Sequence, residues 1–299
     1  MKLVSSSVEL LEISNPLMKI EKAGRTCYKS DSDMTEDTAR RFYNNLVDRR
    51  HFAMLEHVNF CFQVESYLYE EIYGYKFLNY SVEELEDGTM RFLISGNLRA
   101  LNETQEDALL QPLFDIDPAL VYCDTFSNKY CKHPAKVVNI DEIDDIQEHA
   151  YKAHKYFTFH FICDRGVSHE IVRHRPASYA QESTRYCNYS KDKFGNEITF
   201  IKPANFDNWS ETDKSNFKVS LDVAEKGYLC LIKNGLTPQQ ARAVLPNALK
   251  TEVIMTANCV EFHHFFDLRS RGVTGAPHPD MKVVADMALS LYESKVKSF

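Results

Sequence analysis

Arg173-His174-Arg175-Pro176-Ala177-Ser178-Tyr179-Ala180-Gln181-Glu182-Ser183-Thr184-Arg185-Tyr186 is the stretch on which the reading of this 299-residue chain turns. It gathers three arginines, a histidine and several hydroxyls. Pro176 ends any helix arriving from upstream, so residues 177–186 read as an extended loop. Such a loop can aim backbone N–H groups and side chains at a ligand. Arginine offers planar, bidentate recognition of phosphate. On residue types alone the stretch is either an anion site or a solvated loop that pairs with acidic surface.

Outward from it, residues 157–163 read as a Phe-rich strand and Asp164-Arg165-Gly166 as a turn, with Ser168 capping a short helix that delivers Arg173. Residues 143–154 read as helix. Residues 58–65 alternate apolar and polar, as a half-buried strand does. Thr35 is a helix cap for a segment running to about residue 50. Downstream, a helix over about 213–234 stops at Gly235, and Thr237-Pro238 starts a short helix carrying Arg242. Longer helices are expected over about 249–268 and 280–296, which makes the last third mostly helical.

The composition, 44% hydrophobic and 26% charged, is that of a folded domain rather than a disordered chain. Net charge is −8, which argues against a protein that coats nucleic acid non-specifically. That charge is uneven: residues 66–150 hold 17 acidic and 6 basic side chains, leaving 26 acidic and 29 basic elsewhere. The rest of the chain can therefore present a positive field to an anionic ligand. The acidic stretch, rich in tyrosine and turn formers, reads as an insertion or small subdomain. No run approaches the length of a membrane helix, and the start lacks a signal-peptide pattern, so the expected compartment is cytoplasmic, with no membrane partner. The eight cysteines form no Cys-x-x-Cys pair and read as reduced, mostly buried hydrophobes. His263-His264 is not read as a metal pair, because adjacent helical residues point apart. Strands near the front and centre with helices around them suggest an α+β or layered α/β domain.

The order of residues is more specific than their kind. Arg173-His174-Arg175, seven residues, then Ser183 resembles the signature of the flavin-dependent thymidylate synthases. His51-Phe52-Ala53-Met54-Leu55-Glu56-His57 resembles that family's His-rich N-terminal segment. Gln240-Ala241-Arg242-Ala243-Val244-Leu245-Pro246 is similar to its Arg-x-x-Leu-Pro segment. Thr256-Ala257-Asn258 with Phe265-Phe266-Asp267-Leu268-Arg269 is similar to its C-terminal segment. The four stand in the family's order.

The resemblance implies an α+β fold with a helix-flanked antiparallel or mixed sheet, as one domain over 1–299 with an insertion at about 66–150. It implies a homotetramer with shared active sites. The implied reaction is reductive methylation of deoxyuridylate to thymidylate, with methylenetetrahydrofolate giving the carbon and NADPH-reduced FAD the electrons. For the nucleotide it implies Glu170, Arg173, Gln181, Glu182, Ser183, Thr184, Arg185, Arg242 and Arg269, with Arg269 activating the pyrimidine. For FAD it implies His51, Ala53, Arg173, His174, Arg175, Gln181, Asn258 and His264, and no metal. There are departures. Glu170 stands where Gln is usual, so it faces away or pairs with an Arg, and Gln181 stands for Glu. Cys27 and Ala53 stand for Ser and Thr, and His264 for Asn.

Other readings of the same residues stay open. A related flavin- and folate-using enzyme acting on a different pyrimidine nucleotide would share the loop. A non-catalytic nucleotide- or RNA-binding module would use its arginines alone. Ser183 lacks the Gly-x-Ser-x-Gly setting of a hydrolase nucleophile, and no Gly-x-Gly-x-x-Gly suggests a Rossmann unit. His57, abutting a strand, reads as an ordinary buried histidine, and Cys187 as a bystander.

Overall fold

The computed structural model describes residues 1–30, 33–127, 133–191 and 197–299. Strands β1 (Lys2–Val4) and β2 (Ser7–Leu10) precede helix α1 (Pro16–Tyr28). Asn15 caps α1, accepting from the N–H groups of Leu17 and Met18. Thr35 caps α2 (Glu36–Asp48), as its sequence position predicts. Then come β3 (Asn59–Val64), α3 (Ser66–Ile72), β4 (Leu78–Glu84), β5 (Met90–Asn97), α4 (Leu98–Thr104) and α5 (Asp107–Ile116). After these stand β6 (Lys136–Val138), α6 (Glu148–His154), β7 (Tyr156–Asp164), α7 (Arg165–Ile171), β8 (Ser178–Gln181) and β9 (Thr199–Ile201). The chain closes with α8 (Glu211–Lys233), α9 (Pro238–Ala241), β10 (Lys250–Asn258), α10 (Cys259–Phe266) and α11 (Pro279–Glu293).

Two four-stranded antiparallel sheets, ordered β2-β7-β10-β8 and β4-β5-β3-β6, carry the architecture, with β1 and β9 paired in parallel beside them. This is the expected α+β arrangement. Alternation on β7 sends Phe157, Phe159 and Phe161 to one face, where they pack with Phe262, Phe265 and Phe266 of α10. Thr158 on the opposite face bonds Thr256 of β10, hydroxyl to hydroxyl, at 2.9 Å. The acidic stretch supplies β4, β5 and β6 of the second sheet, yet β3, which precedes it, pairs with both β5 and β6. Among the described residues no helix is long and apolar enough to cross a membrane.

Several expectations are corrected. The helix expected over 249–268 is strand β10, then α10, then a π-helical turn at Asp267–Arg271. Residues 251–259 are all buried, and β-branched Val253, Ile254 and Thr256 sit between two pairing strands, where they fit better than on a helix. The last third is otherwise mostly helical, as expected, with α8, α9, α10 and α11 around this strand. The loop expected after Pro176 becomes edge strand β8, because β10 offers it a free ladder. Asp164, not Ser168, caps α7 by accepting from Val167 N–H at 2.8 Å. The helix expected over 143–154 is confined to α6. Of the described cysteines, 61, 163, 187 and 259 are buried as expected, while Cys230 is exposed; Cys131 lies outside the described residues.

Candidate active site

The π-helical turn Asp267–Arg271 ends on Gly272, at φ +69°, where a Cβ would come within 3.1 Å of the Gly275 carbonyl. Only glycine closes the turn without strain. The turn directs Arg269 back toward the signature residues. Its Nε donates to His174 Nε2 at 2.9 Å, and its Nη1 donates to Glu170 Oε2 at 2.6 Å. Glu170 therefore pairs with an arginine, one of the two outcomes its sequence position allowed. Burial, then the Arg269 guanidinium and His264, hold the His174 ring down at about 4. His174 is thus neutral near pH 7, and an Nε2 that accepts from a guanidinium carries its proton on Nδ1. The exposed His264 ring lies 6.1 Å from that of His174, centre to centre.

Across the sheet, β8 leads into the second half of the signature. Gln181 Nε2 donates to Ser168 Oγ at 2.9 Å. Glu182, only 2% exposed, turns inward, accepting from Tyr189 Oη and Lys250 Nζ, both at 2.9 Å. Lys250 also pairs with buried Glu252, which His160 and Lys29 contact as well. Burial alone would push Glu252 up; hydrogen bonds from His160, Lys250 and Lys29 outweigh it and hold the carboxyl below its usual range. This network anchors the chain just before Ser183, whose N–H donates to Cys27 O at 3.0 Å. Ser183 Oγ accepts from Arg185 N–H at 3.3 Å. Arg242 Nη1 donates to Thr184 Oγ1 at 2.8 Å, and Arg185 Nε to Gln239 Oε1 at 3.1 Å. Arg185 and Arg242 are exposed, two cations at one hydroxyl-bearing turn. Anion recognition is what such a turn can do.

A cleft of about 640 Å³ opens between the two main sheets. Asn59, Asn79, Asn97 and Arg99 line one wall; Tyr156, Arg175, Ser178 and Asn258 line the other. Asn59, Asn79, Asn97, Arg99 and Tyr156 carry no signal in the sequence that marks them as functional. Of the residues implied for FAD, Arg175 and Asn258 reach this cleft, whereas His51, Ala53, Arg173, His174 and His264 do not line it. Asn258 Nδ2 donates to Ala153 O at 3.1 Å, and its Oδ1 caps α10. His57, read as an ordinary buried histidine, is one, with Nδ1 bonded to Thr256 Oγ1 at 2.9 Å. The cleft suits a planar heteroaromatic group: its walls mix apolar and amide side chains, and the buried Asn59 Nδ2 meets no partner among the described residues.

Fold and site together describe an α+β protein with an arginine-bearing signature turn beside an inter-sheet cleft. The chain belongs to the family described as thymidylate synthase complementing protein, whose sequence model matches residues 9–84 and 128–296. It is 34% identical over 131 residues to a flavin-dependent thymidylate synthase of Geobacter sulfurreducens, covering 44% of this chain and 54% of that one. To its namesake in Pyrococcus furiosus it is 38% identical over 117 residues, covering 39% and 47%. The chain spans about half the length of these relatives. A solved UMP/dUMP methylase PolB from Streptomyces cacaoi, bound with 5-Br dUMP, covers 98% of this chain and 93% of its own, at 14% identity and TM-score 0.43.

Proposed function

We propose that this protein converts deoxyuridylate to thymidylate, with methylenetetrahydrofolate as carbon donor and NADPH-reduced FAD as electron donor. The observation that carries the reading is the Arg269–His174 hydrogen bond of 2.9 Å. It joins the signature to a segment 95 positions later in the chain. Bound FAD supplies the electrons that turn the transferred carbon into a methyl group.

The chain's own residues bind, orient and polarise. Arg185, Arg242, Ser183 and Thr184 hold the nucleotide phosphate through charge-assisted and neutral hydrogen bonds. Arg269 sits as a permanent cation beside the pyrimidine and favours its ring-deprotonated form, which raises electron density at the carbon to be alkylated. Neutral His174 accepts from Arg269 and holds the guanidinium in place. Glu170 offsets part of its charge, while Glu182 acts from beneath, holding the turn. Arg173, Arg175, Gln181 and Asn258 serve the flavin together with His51, Ala53 and His264. Those residues do not meet in one cleft of one chain, which supports a homotetramer with sites shared between subunits.

The visible absorption spectrum of the purified protein and a product assay test the reading. Flavin absorption, and thymidylate formed from deoxyuridylate but not from deoxycytidylate, are the expected results. A colourless protein that binds RNA with a steep salt dependence would point to the non-catalytic alternative. Light scattering that finds a fully active monomer would overturn the shared-site assembly.

A further inference from the structure

Asn59 opens β3 and lies directly opposite Asn97 in the β3–β5 ladder. Directly opposed residues present their side chains on the same face, and both of these line the cleft. Asn97 is held in place, its Oδ1 accepting from Ala100 N–H at 2.9 Å. Asn79 donates to Tyr156 Oη, and the Asn258 carboxamide is spent on Ala153 and Glu261. Asn59 differs: its Nδ2 is buried and finds no acceptor among the described residues. A buried amide donor left without an acceptor is costly and asks for a reason.

The reason fits the chemistry of a carboxamide. It donates from nitrogen and accepts at oxygen, the complement of an imide edge, in which a ring N–H stands beside a carbonyl. We propose that Asn59, backed by Asn97, turns its carboxamide, whose donor is unpartnered, into the inter-sheet cleft to read the imide edge of a pyrimidine-dione ring bound there. Arg175 stands on the facing wall. The inference rests on the reading under Proposed function. Two ligands there share this edge, the uracil of deoxyuridylate and the dione ring of flavin. Asn97 lies between the two stretches matched by the family's sequence model, so this wall is partly built outside them.

The test uses the full-length protein stripped of flavin, as wild type, Asn59→Asp and Asn59→Leu. FAD is titrated by fluorescence quenching and deoxyuridylate by calorimetry, and the melting temperature of each ligand-free protein is recorded. Asn59→Leu should weaken one of the two ligands by about two- to tenfold. Asn59→Asp, equal in shape but with an acceptor in place of the donor, should weaken the same ligand at least as much. Ligand-free Asn59→Leu should melt no lower than wild type, because no group among the described residues uses the donor. Selective loss of FAD affinity assigns the flavin ring to the cleft, and selective loss of deoxyuridylate affinity assigns the uracil; either supports the proposal. Unchanged affinity for both ligands in both variants overturns it. So does a fall in ligand-free melting temperature in both variants, which would give Asn59 a structural role. A wild-type protein that binds neither ligand overturns the functional reading and this inference with it.

Discussion

Glu170 sets how much positive charge Arg269 presents. The pair is about a quarter exposed on each side, so water screens it. Asn59 aside, it is the polar contact here most open to tuning by one atom. Glu170→Gln keeps an acceptor and removes the charge. A part-exposed ion pair is worth about 0.2–1 kcal/mol, so the variant should bind deoxyuridylate up to about fivefold more tightly. Calorimetric titration checks this, and weaker binding would mean that the Glu170 carboxylate itself helps hold the nucleotide. Arg185, exposed, leans on Gln239 and the Tyr186 ring and can turn to a phosphate. Arg185→Ala should cost about 1.5–3 kcal/mol of nucleotide affinity, roughly 10- to 150-fold, with FAD content unchanged. Equal deoxyuridylate affinity in the two proteins would remove Arg185 from the phosphate site. Cys187, the cysteine nearest the signature, is 1% exposed, with its thiol packed 4.0 Å from the Cys27 carbonyl. Buried in this way, it reads as a bystander, so Cys187→Ser should keep turnover; a folded, flavin-bound variant without activity would contradict this.

At the scale of elements, β10 organises the site. Its first residues hold the buried acids beneath the Ser183 turn, its middle anchors the His57 segment, and its end lines the cleft. The middle link is a buried chain from His57 Nδ1 to Thr256 Oγ1 to Thr158 Oγ1, each step 2.9 Å. Valine at 256 keeps the shape and breaks both bonds, leaving two buried polar groups short of a partner. Thr256→Val should therefore lower unfolding stability by about 1–3 kcal/mol, seen as a lower denaturant midpoint with an unchanged slope. A midpoint equal to that of wild type would mean the chain contributes nothing net.

The whole molecule carries three buried histidines that resist protonation. Burial is the main cause in each: His57 and His154 are lowered to about 3 and His174 to about 4, from an ordinary 6.5. Between those values the unfolded chain takes up protons that the folded chain refuses. Stability therefore falls as pH drops from about 6.5 toward 4. Glu252, whose folded value is depressed, extends the loss further: its contribution is present above the ordinary carboxyl range and is lost as pH falls through it. Urea midpoints measured from pH 7 to pH 4 should decline steadily, and a flat profile would show that these histidines titrate normally.

Local chemistry made much of this legible in the chain. Thr35, Gly235 and Thr237-Pro238 mark helix ends wherever they stand, because caps and turns are decided by neighbouring residues. The alternation at residues 58–65 and the Phe run at 157–163 announce strands for the same reason. The signature residues, read in order, likewise bring the family within reach. Residues 250–258 show where local reading stops. A short stretch that mixes Val253-Ile254-Met255 with Thr251, Glu252 and Thr256 has no clear period to separate a strand buried on both faces from a buried helix; the ladders on either side, β7 and β8, decide it, and they come from elsewhere in the chain. The partnership of Arg269 with His174 and Glu170, the inward turn of Glu182 and the unpartnered donor of Asn59 are equally beyond the sequence. Each depends on which distant group arrives within hydrogen-bond reach, and that is settled only when the two sheets and the π-helical turn have packed.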